Sequence, residues 1–226
     1  MLKEVMLSVG FIFIGTVFYA MLLYYGIVHL NNPSWTQFPV RGIDVSHHQG
    51  EIDWQHLPRN EVQFAYIKAT EGSDFKDPDF QRNWQQSKVV GIAHGAYHYF
   101  NFCRDGLSQA RNFIESVPVE MDALPPAIDI ESGPCEEQFT QQAIITALHT
   151  LFDELQRVYG KTPLLYVTQE TYERYVRDYF PQTPLWVRDV YWQPRWMQTP
   201  WVIWQYDSRT RMAGINTYVD RNVWIK

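Results

Sequence analysis

Between Val40 and Trp224 the chain is a succession of short apolar segments, and only the early ones are separated by helical patterns. VRGIDVS (Val40–Ser46), FAYIKAT (Phe64–Thr70), VVGIAHGAYHYF (Val89–Phe100) and AIDIE (Ala127–Glu131) read as strands. They are rich in β-branched and aromatic residues and are bounded by turn formers. PLLYVT (Pro163–Thr168), PLWVRDV (Pro184–Val190), WVIWQY (Trp201–Tyr206) and TYVDRNVW (Thr217–Trp224) bring the total to about eight. Helical spacing of apolar residues fills Asp79–Lys88, Asp105–Val117 and Glu136–Tyr159, the last ending at Gly160. Strands alternating with helices imply an α/β fold around a parallel sheet. Alternation that loses its helices late implies a modified, incomplete TIM-like β/α barrel. Such barrels place their chemistry at the carboxyl ends of the strands. Asp44, His98, Glu131, Trp186, Gln205 and Asp220 all fall toward those ends.

PPAIDIE, residues 125–131, carries the sharpest chemical signal. Side chains two apart on a strand share a face, so Asp129 and Glu131 point the same way with Cα atoms roughly 6.5–7 Å apart. Two carboxylates held together repel, which raises the proton affinity of one of them. A protonated acid beside an ionised one is the requirement of glycosidic-bond cleavage. The pair alone is weak evidence, because solvated strand ends and metal ligands show the same spacing.

A net charge of −6 over 226 residues gives no basic surface for nucleic acid or anionic lipid. Aromatic residues make up 16% of the chain, enough to fill a core and also to line a sugar-binding groove. Residues Val5 to Val28 contain no charge and are long enough for a bilayer core of about 30 Å. MLLYYGIVHLNN, after Ala20, contains no small-x-small cleavage site, so a retained anchor is expected over a cleaved signal. The domain plan is therefore an anchor at 1–30, a polar linker at 31–39 and a catalytic domain at 40–226. On this reading the protein is tethered by a single transmembrane helix at about residues 5–28, with the catalytic domain outside the cytoplasm. Cys103 and Cys135 each follow a strand by a few residues and are either unrelated thiols or, in an exported domain, a disulfide.

GIDVSHHQGEIDW from Gly42, YIKATEG from Tyr66, GAYHYF from Gly95 and PPAIDIE are followed by PLLYV, PLW, WQY and VDRNVW. With these eight motifs in order, the chain from about Arg41 to Trp224 resembles the family 25 glycoside hydrolases, the Chalaropsis-type lysozymes. The resemblance implies a muramidase acting on the β-1,4 bond between N-acetylmuramic acid and N-acetylglucosamine of peptidoglycan strands, as a monomer, with no cofactor and no metal. It makes Glu131 the general acid and Asp129 the residue that orients the substrate's own N-acetyl group for attack. Asp44 and Asp220 match two further acidic positions of the family's site.

Tyr97, His98 and Tyr99 end the third strand and are candidates to meet the sugar, although alternation places His98 opposite the two tyrosines. Tyr166, Trp186, Trp204 and Gln205 are further substrate-binding candidates, with Trp204 and Tyr206 on one strand face and Gln205 on the other. Core packing is an equal reading for Trp186. The histidine pairs His47/His48 and His94/His98 lack metal-ligand spacing and read as structural. After PLW the chain departs from the family with VRDVYWQPRW, so Arg188, Asp189 and Arg195 alter one wall of the groove. Two other classes compete with the leading one. They are a non-catalytic peptidoglycan-binding protein that kept the groove, and a metal-dependent hydrolase using the acids with His47 or His98.

Overall fold

A computed structural model describes residues 2–197 and 199–225, with side chains described from residue 9. The first element is a helix, α1 (Leu2–Tyr24), and β1 (Val40–Val45), β2 (Phe64–Glu71) and the two-residue β3 (Phe75–Lys76) follow it. α2 (Phe80–Val89) leads to β4 (Ala93–Tyr99), α3 (Gly106–Ser116) to β5 (Ala127–Ile130), and α4 (Gln141–Tyr159) to β6 (Leu164–Val167). β7 (Leu185–Arg188), β8 (Ile203–Arg211) and β9 (Tyr218–Trp224) complete the chain with no long helix between them.

The sheet runs β1-β9-β8-β7-β6-β5-β4-β2-β3, and a β1–β2 pairing closes it. Eight strands thus form a closed barrel, and β3 is an antiparallel extension of the end of β2. The expected incompleteness concerns only the helices, since the ring of strands has no gap. The barrel is also mixed, because β9 runs antiparallel to both β1 and β8. Only residues 212–217 join β8 to β9, whereas a parallel crossover needs a dozen or more residues.

Period-2 alternation sorts the strands into two packed layers. Phe64, Tyr66, Ala127, Leu164, Tyr166, Trp186 and Ile203 point inward and fill the barrel. Ile43, Ile67, Ile128, Leu165 and Val187 point outward, against Trp84 of α2, Phe113 of α3 and Leu148 of α4. Two glycines make room for the inner rings. A Cβ on Gly42 would lie 2.6 Å from the Phe64 ring, and one on Gly95 would lie 2.6 Å from Tyr66. The third expected helix, Glu136–Tyr159, starts later, at Gln141, for a local reason. Thr140 caps α4 by accepting a hydrogen bond from the Ala143 amide, so residues 136–138 form only a separate 3-10 turn.

The membrane anchor expected at residues 5–28 is not supported. Among the described residues, no helix is long and apolar enough to cross a membrane. The end of α1 is tied to the barrel instead. Arg209 donates to the Tyr24 carbonyl at 2.7 Å, and its guanidinium lies 4.4 Å from the Tyr24 ring centroid. His29 pairs with Asp207, and Asn31 donates to the Val190 carbonyl at 2.6 Å. The membrane as a partner, and the tethered localisation that followed from it, are corrected with it.

Residues 31–39 lie on the outer face of the barrel. Phe38 is buried against Trp201 and Trp204, and Arg41 donates to the Pro33 carbonyl beneath the Trp35 ring. Cys103 and Cys135 form a disulfide with Cα atoms 5.2 Å apart, joining the loops that follow β4 and β5. Closing this 32-residue separation should stabilise the domain by about 3–4 kcal/mol on the chain-entropy model. Urea unfolding with and without reductant should show a loss of that size, and an unchanged midpoint would mean that packing alone holds the loop.

Candidate active site

The inward face of the strands converges above the aromatic filling of the barrel. Tyr99, Asp129, Tyr166 and Trp186 are successive register partners across β4, β5, β6 and β7. Asp44 is the register partner of Asp220 across β1 and β9. Asp220 reaches this end of the barrel because β9 is antiparallel, so it stands near the start of its strand and not, as expected, toward the end. Glu131 follows the last residue of β5 and continues the inward side. These groups surround an open cavity of about 320 Å³ that Asp44, Tyr97, Asp129, Glu131, Gln205 and Asp220 help to line.

Hydrogen bonds connect one side of this cavity to the other. The Trp186 indole donates to Asn222 Oδ1 at 2.8 Å, and Asn222 Nδ2 donates to Asp44 Oδ2 at 2.7 Å. Gln205 Nε2 donates to the same Asp44 oxygen at 3.0 Å. The Tyr166 hydroxyl lies 3.0 Å from Gln205 Oε1 and 3.1 Å from Glu131 Oε1. Asp129 Oδ1, by contrast, is enclosed and has no hydrogen-bond partner. Unpartnered buried acceptors are uncommon and are most often completed by a ligand or by a proton.

Burial dominates the electrostatics. It pushes the Asp44 carboxyl up to about 6 in spite of the donors Asn222, Gln205 and Asp220, and the charge of Glu131 adds to the rise. Burial also holds Asp129 well above the usual carboxylate range, helped by the charges of Glu131 and Asp44 and opposed by Lys68. Asp220 is raised by burial and by Asp44, with Arg188 opposing. Burial and mutual repulsion therefore favour the protonated forms of Asp44, Asp129 and Asp220 relative to carboxyls in water.

Two of the expected sugar-binding residues stand elsewhere. His98 points outward beneath α3, with Nδ1 2.7 Å from Thr70 Oγ1 and Nε2 3.1 Å from Gln109 Oε1. Burial lowers its pKa to about 4, so it is a neutral structural imidazole. Trp204 also points outward, donates to the Asp189 carbonyl at 2.8 Å, and stacks among Phe38, Trp201 and Tyr206. Tyr97, Tyr99, Tyr166, Trp186 and Gln205 do line the cavity. Trp186 is nevertheless 2% exposed, so it forms the floor and not a wall. His47 is occupied by Asp77, at 2.7 Å, and among the described residues no group of three His, Cys, Asp or Glu is placed to hold a metal ion.

Sequence reasoning missed Lys68 and Asn222, while Arg188, read there only as part of a divergent groove wall, ends β7 and lines the cavity. Lys68 lies under the Tyr99 ring and pairs with Glu71 at 2.7 Å, placing a cation on the Asp129 side of the cavity. The signal was present, since a lysine inside the otherwise apolar FAYIKAT strand must find a partner.

The segment carrying Glu131 is pinned from below. Buried Glu136 accepts from the Tyr175 hydroxyl at 2.7 Å, pairs with Arg174 at 2.6 Å, and receives the Gly133 amide at 3.3 Å. The divergent loop after β7 is organised by Asp189, which accepts from the amides of Tyr191 and Trp192 and from the Trp196 indole. Tyr191 and Trp192 are left exposed.

A family model described as glycosyl hydrolases family 25 matches residues 43–215. A solved family 25 glycosyl hydrolase from Bacillus anthracis is similar with a TM-score of 0.81 at 35% identity, over 87% of this chain and 93% of that one. YegX of Escherichia coli K12 is 34% identical over 83% of this chain and 70% of its own length. Lysozyme M1 of Streptomyces globisporus is 30% identical over 81% of this chain and 67% of its own. The chain belongs to glycosyl hydrolase family 25 and is a glycoside hydrolase.

The carboxyl cluster has a consequence for folding. A carboxyl raised in the folded state adds stability that is complete below its unfolded pKa and is lost as pH rises through its folded one. Asp129 is raised from 3.8, so its ionisation works against the fold at neutral pH. Asp129→Asn should raise the melting temperature at pH 7 and leave it nearly unchanged near pH 4. Thermal unfolding across that interval checks this, and an equal shift at both pH values would point to packing in place of charge.

Proposed function

We propose that the protein is a peptidoglycan hydrolase, a muramidase that cleaves the β-1,4 bond between N-acetylmuramic acid and N-acetylglucosamine. The catalytic unit is residues 40–226. The observation that carries the reading is the enclosed, unpartnered Oδ1 of Asp129 beside Glu131 at the open end of the barrel. An acetamido N–H of the substrate supplies the missing donor, which favours the ionised form of Asp129. The acetamido oxygen then attacks the anomeric carbon as the glycosidic C–O bond breaks, and Glu131 delivers its proton to the departing sugar oxygen. Glu131, now a carboxylate, takes a proton from the water that opens the cyclic intermediate, so configuration is retained. Asp129 stabilises the positive charge that grows on the acetamido nitrogen during attack. The lysozyme name of the Streptomyces globisporus relative supports the same substrate class.

Glu131→Gln should reduce turnover by about two to four orders of magnitude with little change in stability. Digestion of purified peptidoglycan at a rate near wild type would remove Glu131 as the acid. Asp129→Asn should lower kcat far more than it raises KM, because its charge is needed as the acetamido group attacks. A loss confined to KM would make Asp129 a binding residue only. Mass analysis of the products decides the bond: reducing-end N-acetylmuramic acid is expected, and reducing-end N-acetylglucosamine would refute a muramidase.

A further inference from the structure

A chain of hydrogen bonds has a direction whenever one end can only donate, and the chain across this cavity begins at such an end. The indole N–H of Trp186 has no acceptor function, so the Asn222 atom 2.8 Å away is its oxygen. The Asn222 amino group is thereby turned to Asp44 Oδ2. That oxygen, already an acceptor, also faces the Gln205 amino group at 3.0 Å. Gln205 must then present its oxygen to Tyr166, 3.0 Å away, and an amide oxygen can only accept. The hydroxyl has a single proton, and this contact uses it. What Tyr166 offers Glu131 Oε1 at 3.1 Å is a lone pair, and two lone pairs at that distance repel. The contact becomes a hydrogen bond when Glu131 carries the proton and donates it.

We propose that Gln205 is a positioning residue that places the shared proton of the Asp129/Glu131 pair on Glu131, by holding the Tyr166 hydroxyl in its acceptor orientation. The proposal deepens the muramidase reading and rests on it for the role of Glu131 as acid. It also assigns a purpose to the buried indole of Trp186, whose inability to accept sets the direction of every later link. In the free protein, burial favours a proton on Asp129. A substrate N–H that completes Asp129 Oδ1 releases this demand, and the Tyr166 lone pair makes Glu131 the receiving carboxyl. The other charges around the pair are Asp44, Asp220, Lys68 and Arg188, and the Tyr99 ring stands toward both acids with Glu71 behind it. His48 lines the same cavity. A change at Gln205 also removes one donor from Asp44, so the relay is read from the part of any shift that depends on the Tyr166 hydroxyl.

The test compares pH profiles of kcat, which report the substrate-bound enzyme, for wild type, Gln205→Met, Tyr166→Phe and the double variant on purified peptidoglycan. Without the Gln205 oxygen, Tyr166 can turn its proton to Glu131 and favour the carboxylate. The alkaline limb of Gln205→Met should therefore move to lower pH by about one unit, the size expected for one hydrogen bond exchanged. Tyr166→Phe should move it by less, because the variant loses the acceptor without gaining a donor. Adding Gln205→Met to Tyr166→Phe should move the limb by much less than Gln205→Met does alone, the remainder coming from the donor lost at Asp44.

A Gln205→Met profile that is scaled down equally at every pH overturns the proposal, as does a shift of undiminished size without the Tyr166 hydroxyl. If Gln205→Met does not fold, an alkaline limb of Tyr166→Phe coincident with wild type overturns it alone. Carbon-13 NMR titration of the Glu131 carboxyl in the same four proteins should show the same order of midpoints without any turnover. A wild type that releases nothing from peptidoglycan would therefore refute the muramidase reading, while the titration would still decide the relay.

Discussion

The aromatic filling of the barrel is the constraint on which the site depends. Phe64, Tyr66, Tyr166 and Trp186 occupy the interior, with the Trp186 centroid 4.9 Å from those of both Tyr66 and Tyr166. Rings of this size leave no room for carboxyl groups at the same depth, so the acids stand in the layer above, at the open end. The rings also form a floor of low polarity, and a carboxylate beside such a floor loses hydration on that side. Burial is accordingly the leading cause of the upward shifts at Asp44, Asp129 and Asp220, ahead of every charge–charge effect among them. Gly42 and Gly95 belong to the same device, because their missing side chains are what the Phe64 and Tyr66 rings replace.

An aromatic floor brings one polar obligation with it. The Trp186 N–H is buried and must donate. Asn222 meets that need and passes a second donor to Asp44, so the packing of the core and the protonation of the site are linked through two residues. A phenylalanine floor would pack as well and carry no directional information. The pairing of Asp44 with Asp220 depends in turn on β9 being antiparallel, which follows from the short connection after β8. A parallel last strand would have carried Asp220 to the opposite end of the barrel.

Much of this was legible in the sequence because strands obey a period of two. The eight barrel strands, the helices between the early ones, and the shared face of Asp129 and Glu131 all follow from local pattern and from the family motifs. Local pattern cannot say which of the two faces of a strand is the inside of a barrel. His98 and Trp204 stand at strand ends as their neighbours do, yet they face the helical layer and the segment at 31–39. Strand direction was also illegible, since TYVDRNVW reads the same whether it runs with or against β8. Lys68 and Asn222 were overlooked for a related reason. Each looks like an ordinary strand residue until the ring closes and shows what it meets. The apolar run at the N-terminus was read by composition alone, and composition did not reveal that Arg209, Asp207 and Val190 hold the chain that follows Tyr24.

The site divides into a part built on strands and a part built on loops, and the two have different physical freedom. The acids and the relay sit on adjacent strands whose ladder hydrogen bonds fix their spacing, so a change of one residue in register would remove them together. The loop that carries Glu131 onward has no ladder and is held by the disulfide and by buried Glu136 with Arg174 and Tyr175. The loop after β7 is held by side chains: the Asp189 carboxyl gathers two amides and an indole, Trp204 and Asn31 donate to the Asp189 and Val190 carbonyls, and Tyr191 and Trp192 face solvent. A wall held by side chains, with no strand ladder, can exchange its exposed aromatic surface without disturbing the floor. Departure from the family pattern in VRDVYWQPRW reaches the catalytic geometry through Arg188, the last residue of β7, which lines the cavity and opposes the rise of Asp220.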